Sequence, residues 1–266
     1  MSDVLPLKIS SKDNPKFKTL LSLLESKGRK KSGLFLVEGM REIERALVSG
    51  YELDHWMVAD SEKGEQAFEI LSKLTSKPCY ALSQPLFKQL VYRDEVVNAI
   101  AAFQVKQKPL NELVLPNNPL ILVLDGLEKP GNLGAILRSS DAAGAHAVLI
   151  TRPQTDLFNP NLIRASLGCF FSQQIACATE NEVFEFLTER NISIYATYFD
   201  DAVDAFEPDY SKGTAFVLGG EAFGISEFWV KNNTKKVMLP MLGIADSLNV
   251  STCTAVLLYE ALRQRR

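Results

Sequence analysis

What the chain has little of narrows the reading first. Its 266 residues include only four cysteines and two histidines, and no two cysteines stand in a CxxC pair. Thiolate and imidazole metal sites need several such ligands at fixed spacing, so no metal is expected. Cys79, Cys169, Cys177 and Cys253 are scattered, which suits reduced, buried thiols. No apolar run nears the ~20 residues that cross a bilayer, so no membrane span is expected. The opening MSDVLPLKISSKDN carries polar and charged residues where a signal peptide has its apolar core, and a cytoplasmic protein is expected. A large charge of one sign is also lacking. The net charge is −3, with 23% charged and 46% hydrophobic residues, the balance of a globular chain with a sizeable core. Two nucleotide fingerprints are missing too. The glycines after the strand-like ILVLD stand at 126, 131 and 134, which does not spell G-x-G-x-x-G, and no Gly-Lys-Ser/Thr closes a phosphate-binding loop. The missing dinucleotide fingerprint counts against a nucleotide-dependent oxidoreductase.

What is present is uneven in its distribution. Residues 1–31 hold eight basic side chains (Lys8, Lys12, Lys16, Lys18, Lys27, Arg29, Lys30, Lys31) against Asp3, Asp13 and Glu25. Such a local excess is either an electrostatic footprint for nucleic acid or an ordinary solvated helix face. Phe17, Leu20, Leu21 and Leu24 recur at helical spacing, which predicts a helix capped by Ser10 or Ser11 and ended by Gly28. Strands are predicted at 34–37, 53–59 and 78–82, and helices from Glu38-Gly39 through Leu47, at 64–75 and at 83–90. With AIAAFQV near residue 99, these make a compact α/β/α domain over residues 1–105. His55, beside Trp56 in an apolar strand, reads as structural. Residues 106–118, rich in Pro, Asn and Lys, form a linker. Over residues 119–266 strands at 121–125, 146–150, 192–197, 214–219 and 236–239 alternate with helices at about 135–143, 160–168, 182–190 and after the last two strands. That alternation predicts an α/β fold with a mostly parallel sheet and helices on both faces.

Three loops in this second part concentrate polar residues between a strand end and a helix start, the edge where open α/β sheets bind ligands. The first runs Asp125 to Gly134 and leads to Arg138, whose guanidinium can return to the strand edge. The second, Val217 to Ser226, runs a strand straight into Gly219, Gly220 and Glu221; the glutamate is either ligand-facing or a favourable charge at a helix start. The third carries Ser247, Leu248 and Asn249 ahead of the last helix, where Ser247 or Asn249 is either a site residue or a helix cap.

Together the loops read Asn132-Leu-Gly-Ala-Ile-Leu-Arg138, Leu218-Gly-Gly-Glu-Ala-Phe-Gly-Ile-Ser226, and Leu239-Pro-Met with Ser247-Leu-Asn-Val-Ser251. In order and spacing this resembles the SpoU, or TrmH-like, class of SPOUT RNA 2′-O-ribose methyltransferases, over roughly residues 119–266. Ser11, Asn14-Pro15, Arg29 and Phe35-Leu-Val-Glu-Gly39 resemble the small substrate-binding domain that often precedes it. The resemblance implies a deep C-terminal trefoil knot, a feature general topology rules would not suggest. It also implies S-adenosylmethionine held through Thr197, Gly219, Leu239 and Leu248, mostly by backbone groups. The functional polar set it implies is Asn132, Arg138, Glu221, Ser247 and Asn249, in a homodimer whose active site draws on both subunits. Arg164 would face RNA phosphate, with Arg29 and Lys30 of the basic segment as further RNA contacts. Ribosomal RNA is the favoured substrate and transfer RNA the alternative; a non-catalytic RNA-binding ribosome-assembly factor is the rival reading. Three departures from the family pattern stand at Thr252-Cys253-Thr254, at Tyr198-Phe-Asp-Asp201 and at Gln174. A guanidinium with a pKa above ~12 is a demanding general base. A charge clamp that positions phosphate is the easier role for Arg138.

Overall fold

The computed structural model describes residues 5–91, 97–220, 223–232 and 234–266. Two compact units emerge: Met1–Lys106 with Asp156–Phe171, and Gln107–Thr155 with Ser172–Arg266.

The first unit is built from β1 (Leu7–Ile9), α1 (Pro15–Ser22), α2 (Ser26–Ser32), β2 (Leu34–Glu38), α3 (Met40–Val48), β3 (Leu53–Ala59), α4 (Glu62–Leu71), β4 (Cys79–Leu82), α5 (Gln84–Phe87) and β5 (Ala99–Gln104). Its five strands run in the order β1-β4-β3-β5-β2. The β1–β4 and β4–β3 pairs are parallel, whereas β5 is antiparallel to both β3 and β2. The basic N-terminal segment differs from expectation in detail. Asn14, not Ser10 or Ser11, caps α1, its side chain accepting from the Lys16 amide with Pro15 at the first helical position. Gly28 does not end this helix but lies inside a second one, α2, which closes at Gly33 with φ of +67°. A side chain at Gly28 would place its Cβ 1.9 Å from the Ser22 carbonyl oxygen, so only glycine lets α2 approach the end of α1 this closely.

Arg29 is turned inward. Only 3% exposed, it donates from Nε to Asp156 Oδ2 at 2.7 Å and from Nη1 to the carbonyls of Leu23 and Leu24 at 2.7 and 2.9 Å. Three hydrogen bonds from Nε and Nη1 thus tie the guanidinium, expected as an RNA contact, into the interior of this unit. The same pair explains why residues 156–171, expected in the second domain, belong to the first unit. Phe158 and Phe171 complete an aromatic cluster there, with ring centroids 4.8 Å from Phe35 and 5.0 Å from Tyr51 respectively.

The rest of the chain supplies β6 (Leu120–Asp125), α6 (Pro130–Ala143), β7 (Ala147–Thr151), α7 (Pro160–Ala165), α8 (Cys169–Ser172), β8 (Ile175–Cys177), α9 (Glu180–Thr188), β9 (Ser193–Thr197), β10 (Val203–Asp204), β11 (Thr214–Gly219), α10 (Glu227–Lys231), β12 (Lys235–Met238) and α11 (Val250–Gln264). Seven of these strands form a sheet in the order β10-β12-β9-β11-β6-β7-β8, and every pair in it is parallel. Strand alternation divides its residues between two faces. Ile121, Val123, Leu149 and Val217 pack with Val183 and Leu187 of α9 and Trp229 of α10. Leu122, Leu124, Phe216 and Leu218 point the other way and are equally buried, on the side where α11 packs against α6 and β11. The mostly parallel sheet is therefore as expected, and β8 and β10 are short additions the pattern did not reveal. Gln174, where the family pattern has proline, clamps the linker: its amide donates to the Val114 carbonyl at 2.7 Å and accepts from the Val114 N–H at 2.9 Å. No described helix is long and apolar enough to cross a membrane.

Both histidines are structural and both are held below the usual imidazole range. For His55, within 2.5 Å of Asp54, burial is the chief cause. For His146 it is burial again, reinforced by the Arg265 charge, and its Nδ1 accepts the Leu120 N–H at 2.9 Å. A histidine whose folded pKa lies below its unfolded value of about 6.5 supports the fold fully above that pH and progressively less beneath it. The melting temperature is therefore expected to fall between pH 7 and pH 5.5, above the carboxylate range. His146→Asn, which keeps an acceptor for Leu120, should flatten that slope; an unchanged slope in thermal melts would contradict the assignment.

Candidate active site

The three motif loops converge at the C-terminal ends of β9, β11 and β12. There the second and third loops, with the end of β9, line a cleft of about 750 Å³, within the range of small-molecule sites, while the first loop lies outside its lining. Thr197, Gly219, Leu239 and Leu248 all line it. The parallel register accounts for the meeting: Thr197 ends β9 opposite Val237 of β12, and Gly219 ends the neighbouring β11. The Thr197 hydroxyl donates to the Val217 carbonyl at 3.0 Å, which ties β9 to β11 at the cleft floor.

Glycine is required in this turn for space. A Cβ on Gly219 would lie 2.0 Å from the Gly224 carbonyl carbon, because the chain folds straight back on itself. The Gly224 N–H donates to the Gly220 carbonyl at 2.9 Å, and Gly224 has φ of +62°. A Cβ on Gly220 would meet the Gly126 carbonyl oxygen at 2.9 Å. The turn therefore presents main chain to the cleft, beside apolar Leu218, Ile225 and Leu257. Such a wall offers hydrogen-bonding backbone groups and a dry surface to one ligand.

The polar candidates separate into two groups. Ser247 lines the cleft. Asn132 stands in the first turn of α6, because that helix starts at Pro130 and not near Ala135; proline in the first turn is pre-set for a helix start. Asn249 caps α11, its Oδ1 accepting from the Ser251 N–H at 3.0 Å, while its Nδ2 donates to Asn132 Oδ1 at 3.5 Å. Asn249 therefore caps α11 and at the same time meets Asn132 of the first loop. Arg138 lies further along α6, outside the cleft lining, and is exposed with no hydrogen bond or ion pair among the described residues. Glu221 lies outside the described residues. In the first unit Lys30 is exposed on α2, and Arg164 is half-buried on α7 with Nη2 donating to Asn161 Oδ1 at 2.5 Å.

Some cleft residues were not singled out as site candidates. Tyr198 and Phe199, one of the family departures, stack with ring centroids 4.8 Å apart on the cleft wall. Cys253, another departure, also lines it, and burial pushes its thiol up to about 11, so it is neutral. Asp125, at the end of β6, is fully buried and accepts from Arg152, Thr151 and the Ser226 N–H. A carboxylate closing a buried apolar strand was the one visible signal for it. No group of three metal-ligating side chains occurs among the described residues.

Comparison with known proteins gives the family. The SpoU rRNA Methylase family model matches residues 119–259, and an MRM3-like substrate binding domain model matches residues 14–101. The chain is 28% identical over 261 residues to a 23S rRNA (uridine(2479)-2′-O)-methyltransferase of Streptomyces viridochromogenes, covering 95% of this chain and 91% of that one. It is 40% identical to a crystal structure of an RNA 2′-O ribose methyltransferase, with a TM-score of 0.83 over 97% of this chain and 99% of that one. The SpoU methyltransferase AviRb from Streptomyces viridochromogenes, in complex with the cofactor AdoMet, is 28% identical, with a TM-score of 0.88 over 95% of this chain and 98% of that one.

The Asn132–Asn249 contact makes a separable prediction. Asn249→Ala removes a cap and should cost about 1 kcal/mol in urea unfolding. Asn249→Ser keeps a capping oxygen but no amide for Asn132; it should unfold close to wild type and still lose methyl transfer. Full turnover in the serine variant would reduce Asn249 to a cap.

Proposed function

Because the chain belongs to the SpoU rRNA methylase family, we propose that it methylates a ribose 2′-hydroxyl in ribosomal RNA, with S-adenosylmethionine as methyl donor. The observation that carries this reading is the cleft at the ends of β9, β11 and β12, where Thr197, Gly219, Leu239 and Leu248 meet around a glycine turn with no room for side chains. Its size and its mixture of backbone groups and apolar side chains fit an elongated nucleoside-bearing molecule. When bound, S-adenosylmethionine supplies the methyl group from its sulfonium sulfur.

The chain's own residues have three tasks. The cleft wall of Leu218, Ile225 and Leu257 keeps water from the donor. Ser247, Asn132 and Asn249, with Glu221 completing the polar set, hold the ribose hydroxyl in line; well-oriented groups gain up to ~7–11 kcal/mol in this way. Arg138 clamps the adjoining RNA phosphate, and its positive charge lowers the hydroxyl's hold on its proton. Lys30 and Arg164 of the first unit serve the RNA more broadly.

Three further features belong to the same proposal. A C-terminal knot is supported by β12, which lies between β10 and β9 although it follows both in sequence. A homodimer is supported by Phe223, Leu242, Ile244 and Tyr259, large apolar side chains left exposed on the second unit, and by Arg138 standing away from the cleft lining. Action in the cytoplasm, where ribosomal RNA is reached, follows from the substrate.

The test is transfer from methyl-labelled S-adenosylmethionine to ribosomal RNA, with transfer RNA in parallel, followed by digestion to nucleosides. Label is expected in a 2′-O-methylnucleoside of ribosomal RNA. Label confined to transfer RNA would change the substrate class, and none in either would overturn the reading. Arg138→Ala should lower transfer by about 10²–10³-fold with S-adenosylmethionine affinity unchanged; turnover near wild type would remove Arg138 from the mechanism.

A further inference from the structure

Behind the glycine turn four residues close a ring that the proposed reaction does not use directly. Asp125 is fully buried. Its Oδ1 accepts from the Thr151 hydroxyl and from Arg152 Nε, each at 2.8 Å. Its Oδ2 accepts from Arg152 Nη2 at 2.6 Å and from the Ser226 N–H at 2.8 Å. Arg152 Nε also lies 3.4 Å from Glu180 Oε1, and the same Oε1 accepts from the Ser226 hydroxyl. Arg152 and Ser226 are thus each shared by two carboxylates, Asp125 and Glu180. Arg152 takes φ of +47° to do so, a backbone conformation that non-glycine residues rarely adopt.

A buried carboxylate with this many donors is immobile, and its position controls the cleft wall from both ends. Asp125 pairs in register with Gly219, where the turn begins. Through Oδ2 it holds Ser226, where the turn ends. Its chain neighbour Gly126 lies directly beneath Gly220. Gly219, Gly220, Gly224 and Ile225 form the cleft wall between those anchors.

We propose that Asp125, Arg152, Glu180 and Ser226 are positioning residues that hold the glycine turn in the shape S-adenosylmethionine requires. The proposal rests on the reading of the cleft as the site for that molecule. In Asp125→Asn one acceptor oxygen becomes a donor that must face an Arg152 N–H whichever way the amide turns, because Arg152 donates to both oxygens. In Arg152→Lys the charge remains and the two-pronged contact is lost. Ser226→Thr retains both the amide and the hydroxyl.

The experiment is calorimetric titration of the full-length protein and its variants with S-adenosylmethionine, beside gel-shift titration with ribosomal RNA and thermal melts. Asp125→Asn and Arg152→Lys are each expected to weaken S-adenosylmethionine binding at least tenfold while RNA affinity stays within twofold. Ser226→Thr should bind both as wild type does. A residue important only for folding would instead lower both affinities with the folded fraction. If Asp125→Asn does not fold, Arg152→Lys and Glu180→Gln decide the matter by the same reading. Folded Arg152→Lys and Glu180→Gln proteins with wild-type S-adenosylmethionine affinity would overturn the ring's role. Wild-type protein that does not bind S-adenosylmethionine at all would overturn the functional reading and this proposal together.

Discussion

Where β11 ends, the main chain doubles back so closely that a single methyl group on Gly219 would collide with the Gly224 carbonyl. The rest of the second unit is arranged around that close approach. The parallel sheet delivers Thr197 and Val237 alongside it in register, and Gly126 comes near enough to Gly220 that a side chain there would strike its carbonyl. Backbone left without side chains along a concave cleft offers its polar groups to water or to a bound ligand. In the proposed reading the apolar residues around it give the ligand a dry wall, and recognition falls to main-chain groups.

A buried charge makes the second constraint. Asp125 sits at the end of a strand buried along its whole length, a poor place for a carboxylate unless donors surround it. Arg152, Thr151 and Ser226 supply them. The interaction that neutralises the charge also fixes the glycine turn, so the stability and the shape of the cleft share a cause. The first unit uses a comparable device for another end: Arg29 and Asp156 hold residues 156–171 against the helix pair, and Phe158 and Phe171 bury their rings with Phe35 and Tyr51.

Much of this was legible in the sequence wherever a regular period or a motif carried it. The limits of β3 and β11 follow from apolar runs; of the four residues expected at the cofactor, Thr197, Gly219 and Leu239 stand at strand ends that a parallel sheet brings to one edge, and Leu248 just ahead of α11. What escaped was set by packing across sequence distance. Arg29 stands in a run with Lys27, Lys30 and Lys31; composition treats the run alike, and only the rotation of α2 turns one of them inward. Gly28 reads as a helix end by propensity, yet contact with Ser22 places it inside one. The early start of α6 was hidden because glycines at 131 and 134 look like a loop, whereas Pro130 opens a helix that packing completes. The ring around Asp125 joins residues 101 positions apart, a relation no local pattern contains.

The central claim is that one cleft, formed by the glycine turn and the ends of β9 and β12, receives S-adenosylmethionine. Hydrogen–deuterium exchange with and without that molecule tests it most directly. Amides at 197–199, 218–220, 223–226 and 237–250 should gain protection, with residues 5–91 unchanged. Protection absent from those segments and concentrated elsewhere in the chain would contradict the account.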